Sequence, residues 1–550
     1  MHTLYPIMSK NNLQTADILV FFIYFIVVSA YGYYIYRKKE STDNPQDFFL
    51  AEGSLTWWAI GASLIASNIS AEHFIGMSGS GFAMGLAIAS YEWMSAATLI
   101  IVAWFIIPLY LKNKIFTMPQ FLAQRYNDKV STIMAVFWML VYVFVNLTSI
   151  IYLGAIAVSA ISGLSFGFCV VMLCIFSVVV TLGGMKVIGY TDVIQVVVLI
   201  AGGLVTTYLA LSLLAHEYGF GSDIIKGLSV LKKEAPDHLH MIFDKSSPHY
   251  MELPGTSVII GGMLVNNLAY WGCNQYIVQR ALGANLKTAR TGILFAAFLK
   301  LLVPVIAVLP GIIMYVLHNK GLFQQEMMGI GGKPKPDQAY PTLMNLLPAG
   351  LKGVAFAALT AAIVASLAGK ANSISTIFSL DIYQKYFNKS ASEHKLVLTG
   401  RWAVIICMLI AGLVTPALRS LDQVYQFIQE YVGFFSPGVL AIFMLGLFWK
   451  RTTAGAAMAA AVLTVPISSI LKFLPYWTNG AFPNYPFLDR MSITFVLVVV
   501  LMVVISLVKP RQYTSPILLP QRTDFKVSPA FLIMAVIIMG ILTALYTVYW

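Results

Sequence analysis

Seven ionisable side chains sit inside runs that are otherwise oily. They are Glu72, His73, Glu92, Asp192, Lys300, Lys370 and Glu430. A charge in such a run is expensive and usually functional. Lys300 interrupts "GILFAAFLKLLVPVIAVLPG" with no carboxylate nearby in sequence, so its partner must come from another helix, and Glu92 is a candidate. A structural pair that locks two helices is the competing reading. Carboxamides crowd two other runs: Asn266, Asn267, Asn274 and Gln275 beside Tyr270 and Trp271 in one, Gln426 and Gln429 beside Glu430 in the other. Amides, a carboxylate, an ammonium and aromatic rings together suit a sugar. Its hydroxyls need donors and acceptors in pairs, and its apolar ring face rests on an aromatic. Polar residues that glue helices together remain the alternative for any single Asn or Gln.

A second kind of chemistry is carried by "SNISAEHFIGMSGSGFAMG", residues 67–85. Backbone polar groups inside a bilayer must be paired unless they line a cavity or bind something. A helix interrupted at "SNIS" would expose carbonyls that can hold a small cation, assisted by the dipoles of the half-helices. Small residues in "GMSGSG" let the remaining half pack closely. A similar interruption is expected at "NNLAYWG", residues 266–272, five spans later. Corresponding interruptions point to inverted repeats over about 53–214 and 254–448. Two ordinary helices with polar spots would explain the same residues.

The rest of the chain must position these groups across a membrane. It has 550 residues, 59% hydrophobic and 11% charged, with mean hydropathy +0.78, which reads as an all-α polytopic membrane protein. Scanning for about 20 mainly apolar residues per crossing gives about fourteen spans. They cover roughly 17–36, 55–82, 85–111, 130–161, 166–184, 188–214, 254–279, 289–317, 350–384, 397–418, 422–448, 452–473, 490–508 and 529–549. The net charge of +12 lies mostly in short loops and is read as a topology signal, not as a nucleic-acid footprint. Arg37–Lys39, Lys112, Lys114, Lys186, Arg280, Lys287, Arg290, Lys385, Lys389, Lys450 and Arg451 then fall on one face, with both termini outside the cytoplasm. The expected organisation is an N-terminal extra helix (1–52), a first repeat (53–214), an extracellular loop (215–253), a second repeat (254–448) and three C-terminal helices (449–550). Cys169, Cys174, Cys273 and Cys407 have no metal spacing and read as buried thiols.

In order along the chain, "ASLIASNISAEHFIGMSGSG", "ASYEWMSA", "GGMKVIGYTDVIQ", "YWGCNQYIVQR", "FAAFLKLLVP", "AAIVASLAGKANS" and "YQFIQEYVGFFSPG" resemble the sodium/solute symporter family, its sodium/sugar branch in particular. The resemblance covers essentially the whole chain. It implies a LeuT-like five-plus-five inverted repeat, with one helix before it and three after, working by alternating access. It implies a sugar site at Asn68, His73, Glu92, Ser95, Asn267, Lys300 and Gln429, with Tyr270 as inner gate under the sugar ring. It also implies an outer gate of Met77, Tyr91 and Tyr425. Sodium, the co-transported ion, would be held by carbonyls of Ala66, Ile69 and Ala362 and by a pair of hydroxyls. Asp192 would lie on the ion's exit route. The chain departs from the pattern in two places there. The hydroxyl pair falls on Ala365 and Ser366, one oxygen short. Lys370, one turn beyond Ser366, is within reach of Asp192 for a salt bridge; the alternative is a lysine snorkelling to the interface. His73 replaces the carboxamide of bacterial galactose carriers, which leaves the choice of sugar open.

The expected function is a secondary symporter of the inner (plasma) membrane, coupling inward sodium flow to uptake of a monosaccharide such as galactose or glucose. A proton-coupled or ion-independent sugar or polyol (inositol-like) carrier is the alternative. The expected partners are sugar, sodium and the lipid bilayer, with no nucleic acid and no obligate protein partner. An intramembrane enzyme would need a nucleophile and base, or a metal cluster, at one depth. Glu72 and His73 are adjacent but are expected on different faces of a helix. A sugar sensor would need an output domain, and the tail after Lys526 reads as one more span.

Overall fold

The computed structural model describes residues 13–37, 55–182, 185–329, 332–420, 424–510 and 515–550. Helix dominates, with no strand longer than an isolated bridge among these residues. Among the described residues ten helices are long and apolar enough to cross a membrane, and an eleventh span is counted if the pair Tyr425–Val432 and Ser436–Phe448, bent by 44°, is one crossing. Ten or eleven such spans stand where fourteen were expected, and the difference has a physical cause. The expected spans at 55–82 and 254–279 are each broken into shorter helices, and Phe166–Thr181 is only 16 residues long. The 72–112 region, in contrast, runs on as one helical stretch of 41 residues.

The first break follows from local chemistry. Trp57–Asn68 ends at Ile69, whose backbone is extended (φ −72°, ψ 119°). Ser70 then restarts the helix: its Oγ accepts from the Glu72 N–H at 3.2 Å and its carbonyl from the His73 N–H at 3.1 Å. Such side-chain bonding to nearby backbone is why serine favours helix starts over helix interiors. The restart is a π-helical turn, Glu72–Met77, followed by Ser78–Met84.

The second break lies at Asn274, not within 266–272. Gly262–Cys273 is continuous α-helix, Asn274 is extended (φ −98°, ψ 126°), and Gln275–Leu282 follows. The Asn274 carbonyl accepts from Ile277 N–H (3.2 Å) and Val278 N–H (3.0 Å), and its side chain accepts from the Tyr142 hydroxyl. The polar run 266–271 therefore projects from an intact helix, and the chain opens at Asn274, whose carbonyl and side chain are both satisfied at the extended residue.

Leu286–Asn319 lies along the first broken helix and presents Lys300 to it. The approach is close enough to require glycine: a Cβ on Gly311 would stand 2.0 Å from the Ser78 carbonyl oxygen. The two long connections also fold onto this region. In the 318–349 connection Tyr340 packs on Phe74, ring centroids 5.1 Å apart. In the 218–253 connection the backbone of His238 presses on Gly85, which has φ +75° and no room for a side chain.

Two charges read as loop signals are structural instead. Arg280 is fully buried, donating from Nε to Ser63 Oγ at 2.8 Å and from Nη1 to the Tyr276 carbonyl. Arg290 donates to the carbonyls of Ala103 (3.1 Å), Lys526 (2.7 Å) and Asp524 (2.9 Å), pinning the segment that precedes Pro529–Val548. At the end of a span a guanidinium reads as a loop charge; its five donors suit it equally to tying together carbonyls at helix ends.

Candidate functional site

The two breaks flank one polar cavity of about 100 Å³. Asn68, His73, Tyr91, Glu92, Ser95, Asn267, Tyr270, Tyr425 and Gln429 all line it. Nine of the eleven expected sugar-site and gate residues are thus brought together. Lys300 lies just behind this lining, with no exposed surface. Met77 is fully buried and does not line the cavity.

Lys300 finds the partner that its isolation in sequence demanded. Its Nζ donates to Glu92 Oε2 and to Asn68 Oδ1 and sits 5.1 Å from the Trp271 ring centroid. Both ions are buried, so the pair persists only because its remaining hydrogen-bonding capacity is met. Glu92 Oε1 lies 3.3 Å from His73 Nε2, and the Ser70 N–H points at His73 Nδ1 at 3.4 Å. Those partners select a neutral imidazole with its proton on Nε2. Asn68 Nδ2 donates to the Tyr270 hydroxyl at 2.8 Å, and the Tyr276 hydroxyl donates to the same oxygen. One network therefore joins the broken helix, the ion pair and the aromatic residue expected under the sugar.

Elsewhere the wall is half satisfied. Ser95 Oγ donates to Asn267 Oδ1 at 2.6 Å, while Asn267 Nδ2 and the Tyr91 hydroxyl are buried without a partner among the described residues. Buried donors without partners in a cavity wall are what a polar ligand would satisfy. Gln429 Nε2 donates to the Tyr425 hydroxyl at 3.0 Å, and the Tyr91 and Tyr425 rings meet edge to face at 5.6 Å.

Glu72, noted from sequence as a costly intramembrane charge but not assigned to the sugar site, also lines the cavity. Its Oε1 accepts from Ser149 Oγ at 2.6 Å. The expectation that Glu72 and His73 face apart assumed α geometry. The π turn that starts at Glu72 widens the spiral and turns both toward the cavity. Asn146 and Asn274 also line it. Glu430, grouped with the sugar amides from sequence, belongs elsewhere: it pairs with Arg490 at 2.6 Å and Lys472 at 3.1 Å, tying three spans together.

Next to the cavity, the helix carrying Ala66, with Ile69 at its end, packs on Leu351–Thr376, which carries Ala362 and Ser366. All four residues are buried. The contact between the helices is a hydrogen bond from Ser366 Oγ to the Ser67 carbonyl at 3.0 Å. Carbonyls at a helix end and a hydroxyl are hard oxygen donors suited to an alkali cation, and Ala365 adds no oxygen. The expected Lys370–Asp192 salt bridge is absent. Asp192 Oδ2 instead accepts from Ser63 Oγ at 2.6 Å and faces Arg280 Nη2 at 4.0 Å, while Lys370 Nζ donates to Ser366 Oγ at 2.9 Å. Arg280, unnoticed as a candidate, has taken the place next to Asp192.

Comparison with known proteins places the chain in a family. The model of the sodium:solute symporter family matches residues 48–464. A sodium/glucose cotransporter of Vibrio parahaemolyticus is 45% identical over 98% of this chain and 99% of its own length. The human sodium/myo-inositol cotransporter 2 is 32% identical over 84% of this chain and 71% of its own. Among solved structures, a Na+-coupled sialic acid symporter in a substrate-bound outward-open state superposes with a TM-score of 0.76 at 21% identity, over 91% of this chain and 99% of that one. The broken helices, the cavity between them and the match over most of its length lead to one conclusion: the chain is a multi-pass membrane protein of the sodium:solute symporter family.

Proposed function

We propose that this protein is a secondary active symporter that couples inward sodium flow to uptake of a monosaccharide such as galactose or glucose. The observation that carries this reading is the cavity between two helix breaks, where a neutral, hydroxyl-rich solute meets donors and acceptors in pairs. Asn267 Nδ2 and the Tyr91 hydroxyl are donors in want of an acceptor. Gln429, Ser95, His73, Glu92, Asn68 and Lys300 supply the rest, and Tyr270 supplies an apolar face for the ring. Met77, Tyr91 and Tyr425 act as the outer gate and Tyr270 as the inner one.

Sodium enters the same framework next to the first break. Carbonyls of Ala66, Ile69 and Ala362 and the Ser366 hydroxyl hold it, and Asp192 lies on its way out. Asn68 is one residue from the Ser67 carbonyl that meets Ser366 and also bonds both Lys300 and Tyr270. An ion that orders the break therefore orders the sugar site, the linkage that symport requires. A membrane potential of 100 mV contributes about 2.3 kcal/mol per charge, enough for roughly fiftyfold accumulation of a neutral sugar. The proposed architecture is a LeuT-like five-plus-five repeat over 53–214 and 254–448. One helix precedes it and three follow, making about fourteen crossings when broken helices count as single passes. Both termini lie outside the cytoplasm, the setting is the plasma membrane, and no obligate protein partner is required. The 31–32% identical inositol cotransporters favour a polyol as second reading.

Uptake into proteoliposomes tests this. Galactose, glucose and myo-inositol are offered with an inward sodium gradient, with choline in its place, and with a proton gradient alone. Sodium-driven accumulation of a hexose is expected. Accumulation driven by protons, or equilibration indifferent to either ion, contradicts the sodium coupling; preference for inositol contradicts the choice of substrate.

A further inference from the structure

Lys370 sits where a mobile cation would be useful, and it is tied down there. It is 1% exposed, with Nζ 2.9 Å from Ser366 Oγ and 4.7 Å from the Tyr276 ring centroid. No carboxylate is within ion-pairing distance of it among the described residues. Asp192 is committed to Ser63 and Arg280, and Glu72, on the cavity side, is the carboxylate whose field reaches it. The other charge acting on it is repulsive, the Arg280 guanidinium, packed against Gly369.

The hydrogen bonds run in one direction. The ammonium donates to Ser366 Oγ, and that hydroxyl spends its only proton on the Ser67 carbonyl. Positive charge is thereby delivered, through one hydroxyl, to the carbonyl end of the Trp57–Asn68 helix, the negative end of its dipole. A sodium ion bound to the same hydroxyl and break carbonyls would have to share Ser366 with an ammonium one hydrogen bond away. Two like charges in a buried site that lacks a second hydroxyl at Ala365 cannot both be held well.

We propose that the Lys370 ammonium is a tethered competitor of the transported cation: it occupies the ion's locus at the helix break, and sodium binds only by displacing it from Ser366. This rests on the sodium-coupled reading above. It assigns Lys370 a role in ion affinity and not in sugar recognition. The lysine supplies the charge that keeps the broken helix closed on Leu351–Thr376 between ion-binding events, and swings toward Glu72 or the cytoplasmic end of its helix when sodium arrives.

The test is the sodium dependence of the full-length protein with Lys370→Met, Lys370→Gln and Lys370→Arg. It is read as sodium half-saturation of sugar uptake in proteoliposomes and as thermal stabilisation by sodium chloride against choline chloride without sugar. The neutral variants are expected to lower the sodium half-saturation about tenfold, equivalent to about 1.4 kcal/mol. Sugar half-saturation at saturating sodium should be unchanged, and Lys370→Arg should stay close to the native protein. A sodium half-saturation that is unchanged or higher in the neutral variants overturns the proposal while leaving sodium coupling intact. Failure of both neutral variants to fold while Lys370→Arg folds also overturns it, since the charge would then be a structural anchor. If neither native protein nor neutral variants respond to sodium yet still accumulate sugar, the sodium-coupled reading itself falls.

Discussion

Replacing Glu92 with Gln isolates the ammonium of Lys300. The native ammonium has no exposed surface and donates to Glu92 and Asn68. After Glu92→Gln it keeps the Asn68 amide oxygen and the face of Trp271 but has no counter-charge. Breaking a buried pair from one side costs about 3–5 kcal/mol, because the surviving charge is left desolvated. Lys300→Met is expected to cost about as much by stranding the Glu92 carboxylate. The double variant strands neither ion. It leaves Asn68 Oδ1 without its donor, at about 1–3 kcal/mol. It should therefore be more stable than either single variant, with a coupling energy of at least about 2 kcal/mol. Unfolding in detergent, followed by intrinsic fluorescence for all four proteins, measures this, and sugar uptake should be lost in all three variants. Additive losses, leaving the double variant the least stable, would refute the claim that the pair is held by mutual charge compensation.

Three further outcomes follow from particular contacts. Asn267→Ala removes the unpartnered donor in the cavity wall and should raise the sugar half-saturation roughly tenfold, about 1–2 kcal/mol, without changing that for sodium at saturating sugar. Gly311→Ala places a methyl 2.0 Å from the Ser78 carbonyl and should lower stability by more than about 3 kcal/mol, seen as a reduced melting temperature, because backbone rather than a movable side chain must yield. His238, in the 218–253 connection, stacks on Tyr315 at 3.8 Å with Nε2 3.2 Å from the Phe82 carbonyl, and burial pushes its imidazole below the usual histidine range. The loosened loop then binds more protons than the packed one. The packing is full above about pH 6.5 and is lost as the pH falls toward the depressed value. Hydrogen-exchange protection at 235–241, expressed relative to the intrinsic exchange rate at each pH, should fall between pH 7 and 5 in the native protein and stay constant in His238→Gln.

What could be read from sequence was the chemistry that a membrane interior makes costly. Lys300 had to find an acid on another helix, and Glu92 was in view because such acids are few. The break at Ile69–Ser70 was legible because Ser67, Asn68 and Ser70 can all bond nearby backbone within an apolar run. The second break was placed too early. Asn266, Asn267 and Tyr270 drew attention as polar residues, but side-chain polarity marks a cavity face as readily as a helix end. At Asn274 the backbone is extended, the carbonyl accepts from the start of the next helix and the side chain accepts from Tyr142. Glu72 stood out as a charge in an apolar run but was not placed in the cavity wall, because nothing in "AEHFIGM" announces the π turn that begins there. Arg280 was taken for a loop charge because its position at the end of a span is the same in either role. Its engagement with Ser63 and Asp192 depends on residues 217 and 88 positions away.

Coupling requires that ion and sugar share one mechanical element, the break after Trp57–Asn68. Galactose binding to the purified native protein, titrated calorimetrically in sodium chloride and in choline chloride, measures this directly. The account predicts sugar affinity at least about tenfold higher in sodium, with sodium affinity raised by the same factor when galactose is saturating. Equal galactose affinity in the two salts, with binding intact, would contradict it.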